Sequence, residues 1–298
     1  MRCIYVYPET IGADAHMLDS GPIGEVAVTA ERAGWEGFAF TEHPAPGAKW
    51  LASGGHQSLD PFVALGHVAA VTSKMKLLTY LSVVSYRNPL MLAKTAATVD
   101  LLSGGRFILG LGTGYLKGEF FSLGADFDER NEMFDEALEV LPMHWAGEPF
   151  NFQGKHFTAR DIQALPRPVQ IPIPIWIGGN AKVTLRRVAE KAQGWMPLIS
   201  SAEVTTTART PAVSSNEALA DKIRELKDMA GDRAAGLDIS VSYTDRSLGD
   251  LTKDVERHRD ALGQLTAAGA TWIVIAPEPT PVTKTLEFVQ GFAETYMK

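Results

Sequence analysis

The stretch from Arg87 to Gly114, RNPLMLAKTAATVDLLSGGRFILGLGTG, constrains the fold more than any other part of the chain. Pro89 suits a first helical turn, where a missing N–H costs nothing. Leu92, Ala96, Val99 and Leu102 are spaced as one apolar face, and Gly104-Gly105 stops the helix. Arg106 opens a new element. Phe107, Ile108, Leu109 and Leu111 then form a nearly unbroken apolar run, which suits a strand covered on both faces, as parallel strands are. Gly112, Thr113 and Gly114 let backbone approach a ligand closely, and N–H groups at the start of the following helix attract anions such as phosphate. A helix delivering a strand into a glycine turn is one β/α-barrel unit with a binding loop at its end.

Similar strand-like runs recur with helical patterns between them: Cys3–Tyr7, Gly37–Phe40, Lys76–Val84, Phe107–Leu111, Ile173–Ile177, Trp195–Leu198, Ile239–Tyr243 and Trp272–Ala276. Alternating strands and helices imply parallel pairing through right-handed crossovers, and eight units close into a barrel with its site at the C-terminal strand ends. The competing doubly wound sheet places a GxGxxG after its first strand, where this chain has Pro8, Glu9 and Thr10. The expectation is one domain over residues 1–298, a (β/α)8 TIM barrel with rim insertions.

Two stretches exceed a normal barrel loop. From about Gly147 to Pro172, prolines 166, 168, 172 and 174 enforce extended chain crossing the rim. From Ser200 to Asn216 the sequence is too polar to pack. A lid containing Arg209 that closes on an anionic ligand and a solvated loop with an incidental arginine are equal readings of it.

Composition excludes several classes. A net charge of −7, from 28 basic and 35 acidic residues, leaves no footprint for nucleic acid or an anionic membrane. Cys3 is the only cysteine, so no intrachain disulfide or multi-cysteine metal site forms, and a reducing cytoplasm fits. No run approaches the ~20 apolar residues of a bilayer span, and MRCIYVYPE does not read as a signal peptide. The expectation is a soluble cytoplasmic protein.

Glu42 and His43 follow the second strand directly, which places both at the catalytic rim of a barrel. Histidine exchanges a proton near neutral pH, and an adjacent carboxylate orients a ligand or tunes the ring. A single histidine is often structural, but this position favours function. On the third strand Thr79, Tyr80, Ser82 and Ser85 interrupt a buried element; hydroxyls that satisfy nearby backbone account for this better than a ligand does. Gly178, Gly179 and Asn180 end the fifth strand and precede a helix. Two such turns on one rim fit a phosphorylated ligand that spans adjacent units. His144, His156 and His258 have no metal-ligand spacing, so no metal is expected. The acidic residues between Glu129 and Glu139 read as a solvated helix face.

With these residues in place, the chain resembles the luciferase-like flavin or deazaflavin oxidoreductases, which are TIM barrels. TEH after strand two, YRNPLMLAKTAATVDLLSGGRFILGLGTGY, EFFSLGADFDERNEMFDEALEVL and PRPVQIPIPIWIGGNAKVTLRRVAEKAQGWMPL carry the resemblance over most of the chain. SGGRF…GTG and IWIGGN…GWMP are similar to the branch that uses coenzyme F420 rather than FMN.

The resemblance implies that His43 is the active-site histidine and Glu42 an acidic neighbour of the cofactor ring. It implies a non-proline cis peptide at Tyr80-Leu81, beside Thr79, bracing the ring. Gly112, Thr113 and Gly114, followed by Tyr115, and Gly178, Gly179 and Asn180 are implied to hold the cofactor's tail and phosphate. Tyr115 stands where related sugar-phosphate dehydrogenases carry a catalytic glutamate, and Trp50 lies too far along to be the tryptophan they place soon after the histidine. Glucose 6-phosphate is therefore a poor substrate expectation. The function implied is F420-dependent hydride transfer to or from a small organic substrate. The alternatives are an FMN-dependent monooxygenase and a non-catalytic cofactor-binding barrel. Related barrels often form dimers, and the apolar and aromatic residues of the Glu119–Trp145 region are the candidate surface for a homodimer, the alternative being that they cover the barrel.

Overall fold

The computed structural model describes residues 1–13, 15–199, 207 and 209–298. Its strands are β1 (Arg2–Val6), β2 (Gly37–Phe40), β3 (Lys76–Thr79), β4 (Ser82–Val83), β5 (Phe107–Gly112), β6 (Phe150–Gln153), β7 (Thr158–Ile162), β8 (Ile175–Gly178), β9 (Gly194–Met196), β10 (Asp238–Tyr243) and β11 (Trp272–Ile275). The described helices are α1 (Ile23–Ala33), α2 (Ala48–Ala52), α3 (Pro61–Val71), α4 (Pro89–Ser103), α5 (Lys117–Ser122), α6 (Arg130–Ala146), α7 (Lys182–Lys191), α8 (Asn216–Ala230), α9 (Val255–Ala267) and α10 (Val282–Tyr296).

All strands but β6 and β7 join one parallel sheet that closes on itself. Ile4 pairs with Val274 on one side and with Gly37 on the other. Every predicted strand is present, with ends shifted by a few residues. The third is cut in two: β3 pairs with the start of β5 at Leu77–Phe107, and β4 pairs with its end at Ser82–Leu111. Between them lies the expected non-proline cis peptide, Tyr80-Leu81.

Alternation along each strand splits the core into two layers. Ile4, Val6, Ala39, Leu78, Ile108, Trp176, Met196, Trp272 and Val274 fill the barrel. Cys3, Tyr5, Phe38, Leu77, Leu109 and Ile177 point outward into the layer beneath the helices. Trp176 and Trp272 meet edge to face at 5.7 Å, and room for Trp176 comes from Gly194, where a Cβ would sit 2.4 Å from the indole. Runs such as Phe107–Leu111 look uninterrupted because both of their faces are buried.

Helix α4 shows how local signals set the units. Asn88 caps its start by accepting from the Leu90 N–H, Pro89 occupies the first turn, and Gly104 ends it in the left-handed region at φ 66°. One expectation fails here. The buried stripe runs through Leu92, Ala96, Val99 and Ser103, while Leu102 is 64% exposed. The helical period carries position 102 off that face, whatever its hydrophobicity.

The first long interruption holds the antiparallel hairpin β6–β7 rather than only extended chain. Its turn is anchored by Glu136 of α6, whose carboxylate accepts the N–H groups of Lys155, His156 and Phe157. The second, 200–216, lies partly outside the described residues, so the lid reading does too. Of its described part, Val213 is buried and bridges to Ile199.

Candidate active site at the barrel mouth

Parallel strands all end on the same side, so the segments after β2, β5 and β8 share one mouth. Glu42 and His43, Gly112–Gly114 and Gly178–Asn180 therefore meet at one end of the barrel. Leu81 joins them. A Cβ on Gly112 or on Gly178 would lie 2.3 Å from a Leu81 methyl, so a larger residue at either position would have to displace that side chain. Sequence reading assigned these glycines to a ligand; in the structure the Leu81 side chain packs against both.

His43 is held in place from several directions. Ser58 Oγ accepts its N–H at 2.7 Å and donates to its carbonyl at 3.2 Å. Its Nδ1 lies 3.1 Å from Glu119 Oε2, and Glu119 also accepts from the Tyr86 hydroxyl at 2.8 Å and the Ala45 N–H at 3.2 Å. Burial opposes ionisation of Glu119, but its hydrogen bonds from His43, Tyr86 and Ala45 outweigh burial and hold the carboxyl below its ordinary range. An ionised carboxylate only accepts, so the shared proton belongs to Nδ1 and Nε2 is left for another partner. Around the ring stand Trp50 at 4.6 Å, His56 at 5.0 Å and Tyr115 at 6.1 Å between centroids. Trp50 is thus not too far along: the short helix α2 folds it back onto His43.

Glu42 is also at the mouth, buried and fully engaged. It accepts from Ser82 Oγ at 2.9 Å and the Val83 N–H at 2.8 Å, and pairs with Arg87 at 2.5 Å. Those bonds tie the end of β2 to β4. Thr79, expected at the cofactor, is completely buried, and its hydroxyl bonds both the C=O and the N–H of Gly110. Tyr80 turns its hydroxyl onto Ser242 of β10.

The two glycine loops differ in what they offer. In the second, the Gly179 N–H donates to Met196 O and the Asn180 N–H to Thr210 Oγ1. The Asn180 side chain is wholly buried and tied to Leu198 and Pro211. In the first loop, the N–H groups of Thr113, Gly114 and Tyr115 donate to no acceptor among the described residues. Those free donors fit an anionic group.

A second acidic group enters from the end of β1. Glu9 Oε2 lies 3.2 Å from His56 Nδ1, while Glu9 Oε1 is buried without a hydrogen bond of good geometry. Burial pushes the Glu9 carboxyl up to about 7, against the pull of the Thr41 hydroxyl. Burial likewise holds the His56 ring below its ordinary value, with His43 adding to the effect. An orphaned carboxyl oxygen beside the imidazole pair is what the polar edge of a bound ring or substrate would satisfy.

Sequence reading missed Glu119, Tyr86, His56 and Glu9. Glu9 alone carried a signal, since it directly follows the first strand. Elsewhere, Glu129, Glu132 and His156 converge within metal-ligand reach, but the Lys155 ammonium already lies 3.0 and 2.7 Å from the two carboxylates and offsets one of their two charges. Of the region proposed for dimer contact, Phe120, Phe134, Leu138 and Trp145 are buried within the subunit, which leaves Phe121, Leu123 and Met143 exposed. Among the described residues, no helix is long and apolar enough to cross a membrane.

A family model described as luciferase-like monooxygenase matches residues 1–244. The chain belongs to that family. Among curated relatives, an uncharacterized protein of Mycobacterium tuberculosis is 33% identical over 156 residues, covering 52% of this chain and 55% of the relative. The match thus spans about half the length of such relatives. The F420-dependent glucose-6-phosphate dehydrogenase of Microbacterium testaceum is 27% identical over 245 residues, covering 79% of this chain and 69% of its own. Among solved structures, monooxygenase RslO1 from Streptomyces bottropensis superposes with a TM-score of 0.78 at 20% identity, over 100% of this chain and 99% of its own. At that identity the likeness establishes the shared barrel.

Proposed function

We propose that this luciferase-like barrel is an oxidoreductase that moves a hydride between coenzyme F420 and a small organic substrate, with His43 carrying the accompanying proton. The observation that carries the reading is the Glu119–His43 pair, which leaves Nε2 open in a mouth that also presents the free N–H groups of 113–115. The F420-dependent relative from Microbacterium supports the choice of cofactor. When bound, the deazaflavin supplies hydride chemistry at its C5 carbon.

The chain's own residues do the rest. Glu119 fixes the His43 tautomer, Ser58 clamps its backbone, and Trp50 and His56 wall the ring. The N–H groups of Thr113, Gly114 and Tyr115 suit the cofactor phosphate. Gly112, Gly178, Tyr80 and Leu81 shape the wall behind the ring, and Thr79, Asn180 and Gly179 hold that wall in position. Glu42 is a positioning residue that locks the strand end carrying His43. Although Tyr115 replaces the glutamate of the sugar-phosphate dehydrogenases, Glu119 supplies a carboxylate beside His43 from the next helix.

The test is to titrate the purified protein separately with F420 and FMN, following tryptophan fluorescence. Selective F420 binding is expected. Selective FMN binding with substrate-dependent oxygen uptake would replace this reading with a monooxygenase. F420 binding with no turnover over a broad substrate panel would leave a non-catalytic barrel.

A further inference from the structure

Three cations meet at one aromatic ring on the rim. Lys117 Nζ lies 4.9 Å from the Phe127 ring centroid, Arg130 Cζ 3.8 Å and Arg209 Cζ 5.2 Å. Cation–π attraction holds each of them to the ring, but it does not remove their mutual repulsion. Other arginines near the barrel rim are neutralised, Arg87 by Glu42 and Arg187 by Asp135. Among the described residues, no carboxylate forms an ion pair with Lys117, Arg130 or Arg209. Burial, and next the proximity of Arg209, hold the Arg130 guanidinium below its ordinary value, against a smaller opposing pull from Asp128.

The cluster's place in the fold says what it serves. Lys117 is the first residue of α5, two positions beyond the free N–H groups of 113–115. Arg209 adjoins Thr210, whose hydroxyl accepts the Asn180 N–H at 2.7 Å. Arg130 begins α6, and its Nη1 donates to the Phe127 carbonyl. Through Lys117 and Arg209 the cluster therefore adjoins both glycine loops. Three free N–H groups on a turn suit one compact anion. Long side chains fanned around a half-buried ring suit a flexible chain of carboxylates, which guanidinium groups grip in planar pairs.

We propose that Lys117, Arg130 and Arg209 form an outer anion site for the oligoglutamate tail that extends beyond the phosphate of coenzyme F420. This rests on the F420 reading above.

The experiment compares three deazaflavins: the bare riboflavin-like chromophore, F420 with phosphate but no glutamates, and F420 with a tail of several glutamates. Each is titrated by fluorescence into wild type, Lys117→Gln, Arg130→Gln, Arg209→Gln and the triple variant, at low and high salt. Wild type is expected to bind the long-tailed form most tightly, with an advantage that shrinks in salt. Each substitution should weaken long-tail binding roughly two- to fivefold. The triple variant should erase the tail's advantage while its affinity for the bare chromophore stays unchanged, which also shows that it folds. Equal binding of tailed and tail-free forms by wild type would overturn the proposal and leave the F420 reading standing. So would a triple-variant defect confined to the phosphate step, or one shared equally by all three ligands. Failure of every deazaflavin to bind would overturn both.

Discussion

His43 Nδ1 and Glu119 Oε2 stand 3.1 Å apart across 76 residues of sequence, and only the carboxylate of that pair is buried beyond reach of solvent. Because Tyr86 and Ala45 also donate to Glu119, the pair orients the imidazole and leaves one ring nitrogen facing the mouth. Replacing His43 with Ala should lower turnover by roughly 10²–10⁴, the range for removing a positioned acid or base. Cofactor affinity by fluorescence titration should barely change. Unchanged turnover on a verified substrate would remove His43 from the chemistry.

Glu119→Gln keeps the shape but loses the charge that fixes the tautomer. Turnover should drop by about 10–10², less than in His43→Ala, since the proton carrier remains. A merely structural role would lower activity evenly at all pH values. A positioning role moves the pH–rate profile, and that profile is the measurement to make.

Arg87 pairs with the buried Glu42 and lies 5.1 Å over the Phe62 ring. Arg87→Ala would strand a buried carboxylate, a change that costs about 3 kcal/mol. Urea denaturation should show this as a lower midpoint at constant slope. An unchanged midpoint would mean that Glu42 has found another partner.

Gly110 has no room for any side chain, since a Cβ there would sit 1.9 Å from the Thr79 carbonyl oxygen. Gly110→Ala forces two paired strands apart and should cost ~3 kcal/mol or more. Thermal melts report it. A stability equal to wild type would show the β3–β5 contact to be looser than the structure has it.

Glu9 makes stability depend on pH. Its carboxyl is pushed up by burial from 4.5 to about 7 in the folded chain, so between those values the native state keeps a proton that the unfolded state has lost. The native state then binds more protons, and stability falls as pH rises through that window. Below 4.5 the contribution is fully present; above about 7 it is lost, on the order of 3 kcal/mol in all. Glu9→Gln should flatten this part of the stability–pH curve. Denaturation midpoints measured from pH 4 to 8 in both proteins make the comparison, and parallel curves would refute the shift.

Much of the architecture could be read from one dimension. Parallel strands buried on both faces leave apolar runs such as Phe107–Leu111, and Asn88, Pro89 and Gly104 mark the ends of a helix through bonds to their own neighbours. His43 was legible because the end of a barrel strand is a fixed address. All of these are short-range effects, in which a residue's backbone preference or its burial on both sides is written into the residues beside it.

The pairings across the mouth were not legible. Glu119 reads as an ordinary acid on a short helix and Trp50 as a residue beyond reach; barrel closure brings Glu119 to His43 and seats Leu81 against Gly112 and Gly178, while the short helix α2 folds Trp50 back. Leu102 reads as core and faces water. The sequence alone determined which segments of the barrel are strands and which are helices, to within a few residues at their ends, because hydrophobic period and capping act over short range. Which distant side chains meet, and so which carboxylate serves the histidine, only the closed barrel decided, because burial and hydrogen bonding between remote segments depend on a geometry that no local pattern encodes.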